Sequence, residues 1–229
     1  MFIPLHDQNR LAHVPFPVVN LSLIAANVAA FLFVQNYGLE PAASASAFSH
    51  GLIPSVFLEM KELSPELRVL PDSLSVITYA FLHGDWWHLT GNMLFLWVFG
   101  DNIEDALGHI KYLVFYLLCA AAGGLAYTIS NIGSDVPLVG ASGAVSGVVA
   151  AYLMLHPKVK VWVLVLGRVP LRLSAGLVLG AWVVYQVANA AFGPESQVAW
   201  SAHIGGLFAG CVLVVFMRRR GVPLFDRDL

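Results

Sequence analysis

The sequence predicts an all-α membrane protein: a bundle of six transmembrane helices with a long interfacial loop after the first. Two observations support this fold class. Apolar residues make up 58% of the 229 residues and charged residues only 11%, whereas a soluble domain carries about 25% charged residues. The mean hydropathy of +0.74 is strongly positive, so the expected solvent is the lipid bilayer. A formal net charge of -2 argues against nucleic acid as a partner.

Six apolar segments approach the roughly 20 residues that a membrane-spanning helix needs. They are Val18–Tyr37, Trp86–Ile103, Tyr112–Ile129, Ser142–Leu155, Leu171–Ala191 and Ala202–Phe216. The fourth and sixth are short, so one end of each should lie below the membrane surface, where water must arrive through a cavity. This division predicts an N-terminal segment at 1–17, a six-helix domain at 18–216 and a basic tail at 217–229.

The long insert between the first two spans, Gly38–Asp85, mixes apolar and charged residues. Ile53 and Phe57 stand close to Glu59 and Lys61, and prolines interrupt the segment. It is too polar to span a membrane and too apolar for a free linker. We predict short amphipathic helices that lie at the interface against the bundle, with a plain loop as the alternative.

The distribution of Lys and Arg predicts the orientation, because cytoplasmic loops are enriched in these residues. Six spans place both termini on one side. That side would hold Arg10, Lys111, Lys158, Lys160, Arg168, Arg172, Arg218, Arg219, Arg220 and Arg227. The other side would hold only Lys61 and Arg68. We therefore expect a multi-pass integral membrane protein with both termini in the cytoplasm.

In this topology spans two, four and six all begin on the outer face. Polar residues stand at those beginnings: His88 and Asn92 in span two, Ser142 in span four and His203 in span six. Polar side chains within a membrane are costly, face the protein interior and usually mark function. Three separate segments with such groups at one depth predict a site there.

Ser142 is the candidate nucleophile of this site. It lies between Gly140 and Gly143 at the start of a predicted helix, where small neighbours leave it accessible. The first N–H groups of a helix are unpaired and favour negative charge, so they supply half of an oxyanion hole. His203 is the candidate general base, which would take the hydroxyl proton and later return it to the leaving amine.

Two pairs of glycines predict close contact between spans four and six. Gly206 and Gly210 share a helical face with His203, and Gly143 and Gly147 are four residues apart in span four. Small residues at this spacing let helix backbones approach closely, which would bring the serine and the histidine within hydrogen-bonding reach. The alternative is that the histidine only bonds a neighbouring helix and the glycines only pack.

His88 and Asn92 are four residues apart and share one helical face. Both side chains can donate hydrogen bonds to a developing oxyanion, with a polar clasp between helices as the alternative. His83 precedes this span, and we assign it a supporting role in the loop.

No third catalytic acid is evident, which favours a Ser–His dyad. Glu104 and Asp105 fall at the cytoplasmic end of span two, and Asp85, Asp135 and Glu195 fall in outer loops. A metal site is not predicted, because His83 and His88 lack the one-turn spacing of a helical zinc pair and the pattern H-E-x-x-H is absent. No cofactor is expected.

The combined motifs resemble those of the rhomboid family of intramembrane serine proteases. They are the run 140–143 (Gly-Ala-Ser-Gly), His88-xxx-Asn92 in span two, and Ala202-His203-xx-Gly206-xxx-Gly210 in span six. The likeness covers essentially the whole chain, including the six spans, the long first loop and Gly100-xxx-Glu104 closing span two.

The resemblance implies a serine endopeptidase with Ser142 as nucleophile and His203 as base. It also implies that His88, Asn92 and the Ser142 backbone N–H form the oxyanion hole. The substrates would be transmembrane helices of membrane-anchored proteins, cleaved near their outer ends, often where small or helix-breaking residues loosen them. The short tails resemble the minimal prokaryotic form of the family, so we expect a prokaryotic cell (inner) membrane.

One departure from the family pattern concerns the base. Many members carry a tyrosine four residues after the serine, stacked on the histidine, and this chain has Ser146 there. Two other classes of function stay open: a non-catalytic member that binds transmembrane helices, which the intact serine and histidine disfavour, and a small-molecule transporter, for which no internal repeat is visible.

Overall fold

The computed structural model describes residues 2–165, 167–193 and 198–225, and most of these are helical. The helices are α1 (Val18–Ala29), α2 (Ala42–His50), α3 (Pro54–Phe57), α4 (Ser75–Thr78), α5 (Trp86–Phe95), α6 (Asp101–Leu107), α7 (His109–Ser130), α8 (Ser142–Leu155), α9 (Ala175–Phe192) and α10 (Trp200–Met217). The strands are β1 (Phe2–Asp7), β2 (Lys160–Val165) and β3 (Val169–Ser174).

Long helical segments occupy the predicted spans. A π-helical turn extends α1 to Val34, and another at Leu96–Gly100 joins α5 to α6. Within the described ranges α7, α9 and α10 are long and apolar enough to cross a membrane, while Val18–Val34 and α8 are shorter apolar helices. The count of six spans therefore stays a prediction.

A three-stranded sheet, which the sequence analysis did not predict, corrects the all-α assignment. Its order is β1-β2-β3, with both pairs antiparallel. In β2, Val161 and Val163 are fully buried whereas Trp162 is 38% exposed, which is the alternation of a half-buried strand. The helix of the fifth predicted span, α9, begins at Ala175 and not at Leu171, because the apolar residues before it form β3.

The sheet lies at the same end of the bundle as the acidic end of α6. Asp105 accepts hydrogen bonds from the backbone N–H groups of residues 12–14 at 2.6–3.0 Å. Glu104 accepts from the N–H groups of Val19 and Asn20 at 3.0 and 2.7 Å. The Arg219 N–H donates to the carbonyl of Ala106 at 2.8 Å.

These contacts bring together the chain segments that the six-span topology places in the cytoplasm. The N-terminal segment, the end of α6, the strands β2 and β3 and the residues after α10 all meet at this end. Arg227, which was counted in the orientation argument, lies outside the described residues, as does Glu195.

The segment between α1 and α5 folds into short helices that pack on the bundle. Leu52 and Leu138 exchange both backbone hydrogen bonds, at 3.1 and 2.8 Å. The fully buried Tyr79 donates from its hydroxyl to the carbonyl of Ala120 at 2.7 Å. These contacts hold the loop that leads into α8. The location of the segment at a membrane interface stays a prediction.

Backbone-to-backbone contact between α8 and α10 is the tightest packing that bears on the site. A Cβ atom added to Gly206 would lie 1.8 Å from the carbonyl oxygen of Gly143, and one added to Gly210 would lie 2.3 Å from that of Gly147. Neither position has room for any larger residue while the helices stay in place. The two glycine pairs therefore set the distance between these helices.

Candidate active site

Ser142 is the first residue of α8, and the turn before it requires glycine. Gly140 has a φ of +126°, and a Cβ atom added there would lie 2.6 Å from Cε1 and 2.7 Å from Nε2 of His88. The Gly140 N–H donates to the carbonyl of Tyr79 at 3.0 Å. This turn therefore sets the serine beside the His88 ring and at the N-terminus of a helix, where the first N–H groups lack intrahelical acceptors.

The structure brings the predicted nucleophile and base together. The Oγ atom of Ser142 lies 2.8 Å from Nε2 of His203, within ordinary hydrogen-bonding distance. The histidine is 8% exposed. Because α8 and α10 touch through their glycines one turn further along, the short distance follows from the same packing.

A third residue, which the sequence analysis missed, bonds the other side of the histidine ring. Oε1 of Gln186 on α9 lies 2.7 Å from Nδ1 of His203, and Gln186 is only 4% exposed. A carbonyl oxygen is solely an acceptor, so this arrangement puts the ring proton on Nδ1 and leaves the Nε2 lone pair for the serine hydroxyl. The available clue was the presence of two amides in an apolar span, Gln186 and Asn189, because polar side chains within a membrane usually face the protein interior.

The ring of His203 also packs against an aromatic side chain. The Trp200 ring lies edge-on to it, with centroids 5.7 Å apart and an interplanar angle of 87°. Ser146, which stands where many family members have tyrosine, is fully buried and donates to the carbonyl of Ser142 at 2.6 Å. Gln186 and Trp200 therefore hold the ring in place of a stacked tyrosine.

His88 presents its Nε2 edge to the turn before the nucleophile. Its Nδ1 accepts a hydrogen bond from the Gly84 N–H at 3.3 Å, so the ring proton belongs on Nε2, where it is available to an oxyanion. Asn92 is 7% exposed and donates from Nδ2 to the carbonyl of His88 at 3.1 Å, within its own helix. An amide nitrogen has two hydrogens, so one is left for another acceptor.

His83 contacts the His88 ring from a buried position in the preceding loop. The two rings lie 5.1 Å apart and nearly perpendicular, and His83 is 1% exposed. Gln35 exchanges two hydrogen bonds with the His83 backbone at 2.7 and 2.8 Å. Both ring nitrogens are without a partner among the described atoms. Burial, followed by the neighbouring His88, lowers the pKa of His83 to about 3, so its ring is neutral at ordinary pH.

The two described carboxylates that the sequence analysis placed in outer loops, Asp85 and Asp135, are engaged elsewhere. Asp85 caps α5 by accepting from the His88 N–H at 2.8 Å, and Asp135 bonds Ser55 and Lys61. Neither bonds His203. In the same part of the chain no group of three His, Cys, Asp or Glu residues is placed to hold a metal ion. The geometry is that of a serine–histidine pair backed by an amide, which suits acyl transfer.

A comparison with protein families matches this chain to the Rhomboid domain over residues 71–220, roughly two thirds of its length. The chain belongs to the rhomboid family. The resemblance inferred from the motifs is thereby confirmed, and the matched region contains Ser142, His203, His88 and Asn92.

Curated relatives of this rhomboid chain come from several kinds of organism. It is 32% identical over 60% of its length to the mitochondrial Rhomboid protein 1 of Saccharomyces cerevisiae, of which the match covers 40%. It is 28% identical over 67% to the chloroplastic Rhomboid-like protein 11 of Arabidopsis thaliana, with 55% of that protein covered. It is 33% identical over 60% to an uncharacterized protein of Mycobacterium tuberculosis, with 56% covered. The chain thus spans about half the length of these relatives, or less.

The comparisons support a membrane-embedded rhomboid protein. They do not support the expectation of a prokaryotic cell membrane, because relatives with mitochondrial and chloroplastic names are matched as well as the mycobacterial one.

Proposed function

We propose that this rhomboid protein is an intramembrane serine endopeptidase. It hydrolyses peptide bonds in or near the transmembrane segments of membrane-anchored proteins, with Ser142 as nucleophile and His203 as base. The observation that carries the proposal is the 2.8 Å separation of Ser142 Oγ and His203 Nε2, at the half-buried start of the short apolar helix α8.

The reaction proceeds by acyl transfer. The Ser142 oxygen attacks the peptide carbonyl carbon while its proton passes to Nε2 of His203, which gives a tetrahedral oxyanion. The protonated histidine then donates that proton to the leaving amine as the C–N bond breaks, leaving an acyl ester on Ser142. Water attacks the ester, its proton passes to His203, and this proton returns to the serine as the acid product leaves.

In this proposal three donors bind the oxyanion: the Ser142 N–H, the Nε2–H of His88 and the Asn92 amide. Removal of one donor from a hydrolase typically costs about 2.7–4 kcal/mol of transition-state stabilisation. Gly140, Gly206 and Gly210 support this arrangement, because at each of them backbone or ring atoms approach too closely for a side chain. Gly143 supports it through its backbone, which is the surface that Gly206 contacts. His83 supports His88 by ring contact.

A transmembrane substrate reaches the site between α5 and α9, where Phe95 and Trp182 make ring contact at 5.7 Å. Trp86 and Trp87 are exposed at the start of α5, and Tyr185 is exposed one turn after Trp182 on α9. The substrate must unwind locally, because the carbonyls of a helix are already hydrogen-bonded. Water enters through the polar outer ends of the second, fourth and sixth spans, and both termini lie in the cytoplasm.

Purified protein in liposomes, given a single-span substrate, tests the proposal. We expect cleavage and labelling of Ser142 by a fluorophosphonate in the parent, and neither in Ser142→Ala. Ser22→Ala is a matched control, because Ser22 is on α1 and only bonds the Val18 carbonyl. His203→Ala should abolish turnover, whereas Asn92→Ala should lower it and leave the fold intact.

Equal cleavage by the parent and Ser142→Ala would overturn the proposal. Binding of several substrates with neither cleavage nor labelling would instead identify a non-catalytic protein that binds transmembrane helices.

A further inference from the structure

We propose that Gln186 is a positioning residue for the reaction, which fixes both the orientation and the tautomer of His203. Its kinetic consequence rests on the proposed peptidase function. Its effect on the histidine ring does not, and can be measured separately.

Side chains from three helices form one continuous chain of hydrogen bonds. Ser142 on α8 lies 2.8 Å from Nε2 of His203 on α10, and Nδ1 of the same ring lies 2.7 Å from Oε1 of Gln186 on α9. Gln186 and His203 are 4% and 8% exposed, so water competes little for either group. A neighbouring ring contact also holds α9 against α10, because the Tyr185 ring packs edge-on against Trp200 with centroids 5.8 Å apart.

The amide selects one of the two neutral forms of the imidazole. A neutral ring has one N–H group and one lone pair. With the proton on Nδ1, the ring donates to Oε1 of Gln186 and its Nε2 lone pair faces the serine hydroxyl. With the proton on Nε2, two lone pairs would face each other at 2.7 Å and the base could not accept the serine proton. Only the first form is both hydrogen-bonded and reactive.

A neutral amide suits this location better than a carboxylate. A charged side chain inside a membrane is expensive, and a buried carboxylate that loses its partner is strongly destabilising. The oxygen of Gln186 accepts from Nδ1–H in the neutral ring and in the imidazolium alike, and the imidazolium forms only as the serine is deprotonated. Gln186 thereby fills the place of the orienting acid in a hydrolase triad without adding charge.

The first experiment compares kcat and KM for three variants on α9 in liposomes. Gln186→Met has similar length but lacks the oxygen, and we expect kcat to fall roughly 10–100-fold, equivalent to about 1.4–2.7 kcal/mol. KM should not change, because the lost interaction strengthens only in the transition state. Gln186→Glu keeps an oxygen acceptor and should recover most of the lost kcat. Asn189→Met is the control: its amide donates to the Tyr185 carbonyl one turn away, and it should retain the parent kcat.

The second experiment reads the tautomer directly by nitrogen NMR of protein labelled at histidine. The His203 resonances are assigned by their loss in His203→Gln. In the parent we expect a protonated Nδ1 and an unprotonated Nε2, and in Gln186→Met a shift of population toward the Nε2–H form. A purely structural role of Gln186 would leave this ratio unchanged.

The outcomes separate this proposal from the proposed function. A parent that cleaves, with Gln186→Met at the parent kcat and tautomer ratio, overturns the role of Gln186 and leaves the peptidase intact. A parent that never cleaves but loses its Nδ1–H in Gln186→Met overturns the peptidase and supports the positioning role. If Gln186→Met does not fold, the NMR spectra of the parent and of Gln186→Glu decide between the outcomes. A protonated Nδ1 of His203 in both proteins supports the proposal, and an unprotonated Nδ1 in the parent overturns it.

Discussion

Substitution of Gly206 by alanine should separate Ser142 from His203. The new Cβ atom would start 1.8 Å from the carbonyl oxygen of Gly143, and real Cβ atoms essentially never approach another heavy atom within 3.0 Å. The helices α8 and α10 must therefore move apart by about 1.2 Å at this point. His203 precedes Gly206 by one turn on the same face, so its 2.8 Å bond to Ser142 would lengthen to about 4 Å, beyond hydrogen-bonding distance.

A displacement of about 1 Å at a reacting centre costs on the order of 100-fold in rate, and overpacking of a core costs about 1–3 kcal/mol of stability. We therefore expect Gly206→Ala to lower kcat about 100-fold and to reduce the Tm. Cleavage of a single-span substrate and thermal unfolding in the same detergent measure the two effects.

Two other glycine-to-alanine variants complete the test: one at a glycine with free space around it, and one at a glycine with a milder clash. Gly180 on α9 has nothing within 4 Å of an added Cβ, so Gly180→Ala should keep the parent kcat and equal or exceed its Tm, since alanine favours helix by about 1 kcal/mol. Gly210→Ala meets the Gly147 carbonyl at 2.3 Å and should have a smaller effect than Gly206→Ala. Parent values of kcat and Tm in Gly206→Ala would refute the reasoning that backbone contact sets the distance between serine and histidine.

Three further changes test other parts of the structure. Gly140→Ala would place a side chain on a backbone with a φ of +126° and within 2.6 Å of the His88 ring. The resulting strain of about 1–3 kcal/mol should lower kcat at least 10-fold in the cleavage assay. An unchanged kcat would contradict the placement of His88. Burial, partly offset by the hydrogen bond from Tyr152, raises the pKa of Asp7 from 3.8 to about 6. Protonation of Asp7 therefore stabilises the fold fully below pH 3.8, and this contribution is lost as the pH rises through 6. Asp7→Asn should consequently be more stable than the parent above pH 6, by at most about 3 kcal/mol, with the difference vanishing near pH 4; a constant difference in Tm across that range would contradict the assignment. Asp105→Ala removes the acceptor of three backbone N–H groups in residues 12–14. It should lower the free energy of unfolding by about 2 kcal/mol, which is measured as a lower Tm. A variant with the Tm of the parent would show that water replaces the carboxylate.

The meeting of Ser142 and His203 was predictable because glycines encode it in each helix separately. Gly143 and Gly147 lie on one face of α8, and Gly206 and Gly210 share a face of α10 with His203. The period of the helix then places the serine and histidine at the same level as soon as the two faces touch. The structure contains this contact between the predicted faces.

The position of Gln186 was not predictable by the same reasoning. No pair of glycines sets the rotation of α9 against α10, and side-chain contacts such as Tyr185 with Trp200 determine which face of α9 turns inward. A polar residue in an apolar helix is expected to face the interior, but α9 carries both Gln186 and Asn189, and the sequence does not say which of them meets His203.

The sheet was missed for two physical reasons. Its first strand pairs with a strand more than 150 residues away, and a pairing of that range leaves no local pattern. The strand β3 runs directly into α9, and its apolar residues therefore resembled the beginning of a membrane span.

The pairing of β1 with β2 also imposes an order of assembly during synthesis. Residues 2–7 emerge from the ribosome first, but their partners at 160–165 follow only after roughly 150 further residues, about 8–30 s later at ordinary translation rates. During that interval the earliest strand has an open edge while several hydrophobic segments insert. The hairpin of β2 and β3 also connects α8 to α9, the helices that carry Ser142 and Gln186. The pairing of this late hairpin with the early strand β1 thus fixes the link between the two helices, and we expect folding to finish at the end of the bundle that holds the sheet.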